Sequence, residues 1–154
     1  MGDPGRLRKQ YETPRRVWDK SRIVEERRLL VDYGLKNMRE LWMAKTVLRK
    51  IRREARMLLA REGKGAAVRR EGLMKRVERF FLGKVSSFDD LLNLDVKNVL
   101  DRRLESVVFR KGLARSMLES RQAIVHGHVL VGGRKCTSPS MLVSFSDEGS
   151  VERV

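Results

Sequence analysis

Apolar residues recur along the first two thirds of the chain at the three- and four-residue steps of helices that bury one face. From Ser21 onward Ile23 and Leu30, and beside them Val24 and Val31, repeat at seven-residue spacing until Gly34, a residue type suited to the position after a helix end. Asn37 followed by Glu40 has the spacing of a capping box, in which the Asn oxygen accepts an orphan N–H and the Glu reaches back. A long helix is predicted from there to about residue 61, buried along Leu41, Ala44, Leu48, Ile51, Ala55 and Leu58. Lys45, Arg49, Arg52 and Arg56 follow the same steps on a stripe rotated away from the first, so one face packs and another presents cations. Gly63-Lys64-Gly65 interrupts the pattern. A further helix is expected over 68–82, carrying Leu73, Val77 and Phe80 or Phe81 and stopped by Gly83, and a short helix or turn over 87–94 with Phe88, Leu91 and Leu92 inward.

The last third reads differently. Residues 95–111 have one helical pattern, with Val99 or Leu100, Leu104, Val107 and Val108 inward and Gly112 closing it. Ser116 and Glu119 form a second capping-box signal, opening a helix that runs to His126 and stops at Gly127. A β-rich run at 128–131, a Gly132-Gly133 turn, Arg134-Lys135-Cys136, Pro139 and a second β-rich run at 142–145 follow. The expected fold class is α+β: an N-terminal all-α module with a basic extended arm, then a small unit of two helices and an antiparallel sheet. The corresponding division is an arm at 1–20, a helical module at 21–94, the α+β unit at 95–146 and a short tail at 147–154. The chain holds no internal repeat and no low-complexity tract.

Charge sharpens this outline. The 154 residues include 35 Lys and Arg against 20 Asp and Glu, a formal net charge of +15. So large a field opposes compaction unless a polyanion neutralises it, which points to nucleic acid or an anionic membrane surface. Residues 1–62 are the most electropositive, with 18 basic and 9 acidic side chains. Residues 1–20 contain Pro4 and Pro14 and no periodicity, and Arg6, Arg8, Lys9, Arg15 and Arg16 make them a basic arm that would order on RNA. Arg outnumbers Lys by 24 to 11. Its planar fork engages phosphates two bonds at a time, so this balance favours structured nucleic acid. Aromatic residues are only 6% of the chain, which argues against a stacking platform for single strands. No apolar run is long enough to span a bilayer, and the N-terminus lacks the apolar stretch of a secretory signal.

Enzymatic signatures are missing from the sequence. It contains no GxxxxGK[ST], no GxSxG and no HExxH. His126 and His128 flank a glycine with no Cys or carboxylate at ligand spacing, so no metal and no cofactor is expected. Cys136 cannot form an internal disulfide and has no paired base, which leaves a small thiol compatible with a reducing compartment. Asp89-Asp90 reads as charge at a helix N-terminus rather than as an acid–base pair.

A resemblance adds to this reading. Leu104, Val107, Val108, Arg110-Lys111-Gly112, Ala114-Arg115-Ser116, Ser120-Arg121-Gln122, His126-Gly127-His128, Val131, Gly133-Arg134-Lys135, Pro139-Ser140 and Val143 follow the pattern of the S-four RNA-binding domain over roughly 95–146. Ser120 stands where that family commonly has Ala. Upstream, Thr13-Pro14-Arg15-Arg16 with Trp18, Lys20-Ser21-Arg22 and Tyr33-Gly34-Leu35-Lys36-Asn37 with Arg39-Glu40 and Trp42 is similar to the opening of the eukaryotic and archaeal branch of small-subunit ribosomal protein four. Met38 replaces an expected cation. Set beside relatives of that family, the stretch around Glu62 to Gly65 is brief and a basic tail beyond Val154 is lacking.

The resemblance implies a structural constituent of the small ribosomal subunit, not an enzyme. Such a protein binds a multi-helix rRNA junction in the subunit body, supports assembly and lies near the side where messenger RNA enters. The implied partners are small-subunit rRNA, neighbouring ribosomal proteins and messenger RNA at that side, with no membrane. The implied location is the cytoplasmic ribosome, with nuclear or nucleolar passage during assembly in a eukaryote. An assembly factor of the nucleolar small-subunit processome is the alternative within RNA binding. An RNA-modifying enzyme with a separate catalytic half is the alternative outside it.

The candidate RNA-binding residues are Arg15 and Arg16 of the arm, Arg22 at the start of the helical module, the Lys45, Arg49, Arg52 and Arg56 stripe and, on the family pattern, Arg102, Arg103, Arg110, Lys111, Arg115, Ser116, Arg121, Gln122, His126, His128, Arg134 and Lys135. Leu104, Val107, Val108, Leu118, Val131 and Val143 are the expected core of the same domain. Removing Arg115 and Arg121 together is expected to weaken rRNA binding while leaving the fold intact.

Overall fold

A computed structural model describes residues 10–60, 63–81 and 87–154. Arg6, Arg8 and Lys9 of the basic arm, Glu62 and the stop glycine Gly83 lie outside the described residues. Within them the order is α1 (Lys20–Asp32), α2 (Met38–Leu59), α3 (Lys64–Phe81), α4 (Phe88–Asn93), α5 (Val96–Leu100), α6 (Leu104–Arg110), α7 (Met117–Val125), β1 (Val129–Val131), β2 (Arg134–Lys135), α8 (Phe145–Glu148) and β3 (Val151–Arg153). This is the α+β class, helices first and a small antiparallel sheet last.

The long helix follows its predicted stripe, burying Leu41, Ala44, Leu48, Ala55 and Leu58. These side chains meet Leu73, Val77 and Phe81 of α3, Leu91 of α4, and Val99 and Leu100 of α5 in one core. Helix α1 follows one of its two predicted pairs: Ile23 and Leu30 are half-buried, and Leu30 packs against this core. Val24 and Val31, the second pair, are 67% and 81% exposed. The inward face also carries Glu26, which is 2% exposed and meets Lys45 and Trp42 of α2.

Residues 95–111 form two helices rather than one. Arg103 is extended, and the backbone of 102–104 pairs with the run at 142–143: Leu104 N–H donates to Met141 C=O at 2.8 Å, and Val143 N–H to Arg102 C=O at 2.9 Å. The ladder takes the backbone groups that a continuous helix would need. It also explains why 142–145 is not a strand of the sheet. Leu142 makes a single bridge to Arg103, and Ser144 then caps α8 by accepting from Asp147 N–H.

The sheet's third strand is β3, giving the order β2-β1-β3, with Leu130 opposite Lys135 on one side and Glu152 on the other. Gly132 and Gly133 make the β1–β2 turn with φ of +57° and +75°, the left-handed pair that a two-residue hairpin requires. Leu104, Val107, Val108, Ala123, Ile124, Val129, Val143 and Val151 form the second core, with Val131 packed at its edge. Leu118, expected in that core, is 68% exposed. The inward side of α7 is Ser120, Ala123 and Ile124, and a residue two positions before Ser120 points to the opposite side of the helix.

Both predicted capping boxes form by half. Asn37 accepts from Glu40 N–H at 3.3 Å, and Ser116 from Glu119 N–H at 3.1 Å. The two Glu carboxylates go elsewhere, Glu40 to arginines and Glu119 to the Arg115 N–H at 2.7 Å. A complete box stands at Ser87 and Asp90 of α4.

Candidate nucleic-acid interface

The carboxylates divide the predicted cations into two groups. Glu26 accepts from Arg22 Nη1 and from Lys45 Nζ, each at 2.6 Å, and from Trp42 Nε1 at 3.3 Å. Burial pushes its pKa up, but the two cations and the indole outweigh this and hold the carboxyl below the usual range. Arg22 also donates to the carbonyls of Arg16 at 3.2 Å and Val17 at 2.9 Å.

A second cluster joins α2 to the last third of the chain. Glu40 accepts from Arg103 Nη2 at 2.6 Å and from Arg121 Nη2 at 2.6 Å. Arg121 Nη1 donates to Glu105 at 3.2 Å, and Arg103 Nε lies 2.8 Å from Glu105 Oε1, an ion-pair contact whose angle is too poor for a hydrogen bond. Glu105 is fully buried, and desolvation raises its pKa to about 7 against the pull of Arg103 and Arg121. Glu40 is desolvated too, yet its bonds to Arg121 and Arg103 leave it below the usual carboxylate range. In a third cluster Arg102, 6% exposed, donates to Val143 C=O at 2.9 Å and to Glu148 at 2.7 Å and lies over the Phe145 ring, while Arg110 also pairs with Glu148. Lys111 Nζ donates to the carbonyls of Gly149 and Val151, both at 3.0 Å.

Six predicted RNA contacts, Arg22, Lys45, Arg102, Arg103, Arg110 and Arg121, are therefore held by the protein's own carboxylates, and Lys111 by carbonyls. Arg52 is half-buried and donates to Leu94 C=O. Residue spacing marks only the Arg22–Glu26 pair, four residues apart on one helix; Lys45, Arg103 and Arg121 meet Glu26 and Glu40 from far along the sequence.

The remaining candidates face outward. Arg15, Arg16, Arg56, Arg115, Arg134 and Lys135 are exposed, and among the described residues none of their side chains meets a carboxylate. Arg49 pairs with Glu12, both ends being more than half exposed, so water and salt weaken the contact. Lys45, Arg49, Arg52 and Arg56 line one groove of about 280 Å³ between α2 and Val96 at the start of α5.

The second outward group surrounds the start and end of α7. Ser116 caps the helix, and Gln122, His126 and His128 line a shallow groove with Glu119 and Arg153. The His126 and His128 rings are stacked with centroids 6.4 Å apart. Arg153 was not foreseen as part of this face; its place comes from β3, which sequence patterning did not reveal. Gly127 between the histidines has φ +76°, and the Lys135 stem covers it so closely that a Cβ would fall 2.0 Å from Lys135 Cε. The lysine stem could swing aside for a Cβ, so it is the left-handed backbone at this helix end that calls for glycine. Cys136 is half-buried with its Sγ 3.3 Å from Met141 Sδ.

Paired helices closed on a three-stranded antiparallel sheet, with outward cations at the helix start and the hairpin, define a protein with an S4 domain, and residues 102–148 match that family. The similarity extends well beyond the domain. The chain is 46% identical over 155 aligned positions to small ribosomal subunit protein uS4 of Thermoplasma acidophilum, covering 98% of this chain and 78% of that protein, and the figures for Thermoplasma volcanium are the same. It is 41% identical over 154 positions to the uS4 protein of Saccharolobus islandicus, covering 99% and 85%. The chain belongs to the small ribosomal subunit protein uS4 family.

Proposed function

We propose that this protein is a structural constituent of the small ribosomal subunit, bound to a multi-helix rRNA junction in the subunit body, where it supports assembly beside neighbouring ribosomal proteins and near the side where messenger RNA enters. The observation that carries the reading is the membership of the whole chain in the uS4 family, and it is supported by exposed cations, Arg56, Arg134 and Lys135 among them, that form no ion pair among the described residues. Folded RNA offers phosphates and 2′-hydroxyls on a rigid shape, and little of its base sequence is readable in the helical grooves. A protein that recognises such a shape needs cations fixed at set distances. Here the internal pairs fix the scaffold, and Arg49, Arg56, Arg115, Arg134 and Lys135 are the residues proposed to meet phosphate, with Ser116, Gln122, His126 and His128 beside them.

The test is titration of the full chain with purified small-subunit rRNA across a salt series. With Arg15, Arg16, Arg49, Arg56, Arg115, Arg134 and Lys135 each neutralising one phosphate, log Kobs against log salt should fall with a slope of roughly −5 to −6. A slope near zero would remove the electrostatic basis of the proposal. In cells the protein should sediment with mature small subunits and translating ribosomes; confinement to precursor particles would refute the structural role and favour an assembly factor.

A further inference from the structure

Trp18 is the most exposed large apolar side chain among the described residues, at 89%, in a protein with two tryptophans. An indole left in water costs hydrophobic free energy, and a single exposed ring needs no explanation when the chain around it is loose. Here the backbone is held. Arg22 donates to the carbonyls of Arg16 and Val17, the two residues before Trp18, and is itself anchored at 2.6 Å to the buried Glu26. Directly after Trp18, Asp19 caps α1 and also accepts from Ser21 Oγ at 2.8 Å. The ring is thus flanked on both sides by pinned backbone and turned away from the protein.

The charge around it is specific in sign. Arg15, Arg16 and Lys20 are exposed within three residues of the ring, and among the described residues none is paired with an acid. Asp19, the one carboxylate in the segment, is occupied as the helix cap. A flat apolar ring between free cations fits a nucleobase, whose π face stacks on the indole while its flanking phosphates meet the guanidinium groups. The same surroundings are wrong for an apolar protein pocket, where three cations would have to be stripped of water without partners.

We propose that Trp18 is a base-stacking residue: it receives one unpaired nucleobase of the small-subunit rRNA, with Arg15 and Arg16 on the adjoining phosphates. This rests on the rRNA-binding reading above and adds to it a contact with an unpaired base, where the rest of the surface meets helical RNA by shape. The low aromatic content argues against a stacking platform for single strands, and one stacked base at Trp18 is compatible with that.

The experiment compares the full-length protein with Trp18→Leu and Trp18→Phe by filter binding to purified small-subunit rRNA at fixed salt. The side chain is solvent-exposed, so both variants should keep the wild-type circular dichroism spectrum and unfolding midpoint. Loss of one stacked base should weaken Trp18→Leu by about 5- to 100-fold, while Trp18→Phe should stay within a few fold of wild type. The slope of affinity against salt should not change in either, because no cation is removed. Acrylamide quenching of the Trp18 emission, isolated as wild type minus Trp18→Phe, should fall on rRNA binding. Equal binding by wild type and Trp18→Leu, or an indole that stays open to acrylamide in the complex, would overturn the stacking role and leave rRNA binding intact. Failure of the wild-type protein itself to bind rRNA would instead overturn the function on which it rests.

Discussion

Arg121 holds two carboxylates on different parts of the fold, and its removal should destabilise the protein measurably. It donates to Glu40 at the start of α2 at 2.6 and 3.1 Å and to Glu105 at the start of α6 at 3.2 Å. Arg121→Met keeps the aliphatic stem and deletes the charge. Breaking a fully buried pair costs about 3–5 kcal/mol, since the partner charge is left without compensation. Arg121 is 20% exposed and Arg103 remains on both acids, so water and the second guanidinium recover part of that; about 2–3 kcal/mol is expected. The loss is read from urea denaturation as a lower midpoint, or as a fall of about 5–10 °C in Tm.

The pH profile carries a second signature. Glu105 titrates near 7 in the folded state, above its ordinary value of 4.5, so the native protein holds a proton there that the unfolded chain releases. Its contribution is fully present below about 4.5 and is lost as pH rises through 7. Without Arg121 the native pKa rises further, so the penalty of Arg121→Met should be larger at pH 8 than at pH 5. Arg115→Ala, at an exposed cation whose side chain forms no ion pair and whose bond to Glu119 is made by the retained backbone N–H, should change stability by less than about 0.5 kcal/mol while weakening rRNA binding. An Arg121→Met protein as stable as Arg115→Ala at both pH values would refute the assignment of Arg121 to the scaffold.

Three further outcomes follow from named contacts. Gly34 has φ +60°, and a Cβ there would lie 2.9 Å from Met117 Cβ and 3.3 Å from Met117 carbonyl carbon, so Gly34→Ala should cost about 2 kcal/mol or more in urea unfolding through left-handed strain and crowding against α7. Glu26→Gln should lower stability by about 2–4 kcal/mol at pH 7, because two cations lose their buried counter-charge; in the wild type this contribution is present above about 4.5 and is lost as pH falls through the depressed folded pKa, so the variant should show a flatter acid limb. Leu118→Ser should leave the unfolding midpoint within error, because this side chain is 68% exposed; a loss above about 1 kcal/mol would return Leu118 to the core.

Helices and their ends were legible in the sequence because they rest on local signals. Gly34, Gly112 and Gly127 all take positive φ at the helix ends where the pattern put them, and the α2 stripe is buried as its spacing predicts. The features that were missed depend on distant partners. Val24 and Val31 keep helical spacing yet face water, because the inward side of α1 is made by Leu29, Leu30 and Tyr33 together with a buried carboxylate, Glu26, that no hydropathy pattern can mark. Residues 142–145 have β-rich composition, but Ser144 and Asp147 also carry a cap signal, and pairing of 142–143 with the 102–103 backbone decided between the two. Val151–Arg153 is too short to read as a strand, and with it went Arg153 beside the histidines.

The structure shows a use of the arginine excess that the charge total alone does not reveal. An excess of Arg over Lys suits phosphate recognition, but the same planar fork bridges two carboxylates at once, which an ammonium does less well. Arg103 and Arg121 both do this between Glu40 and Glu105, and Arg22 joins a buried carboxylate to two backbone carbonyls. Four acids, Glu26, Glu40, Glu105 and Glu148, hold six cations and so leave a local surplus of two charges in the scaffold with Glu105 ionised and three with it protonated. Most of the +15 therefore lies outside these clusters. The paired arginines spend their geometry on aligning the helical module with the S4 domain, and it is that alignment which sets the distances between the unpaired cations and hence the shape of RNA the surface can accept.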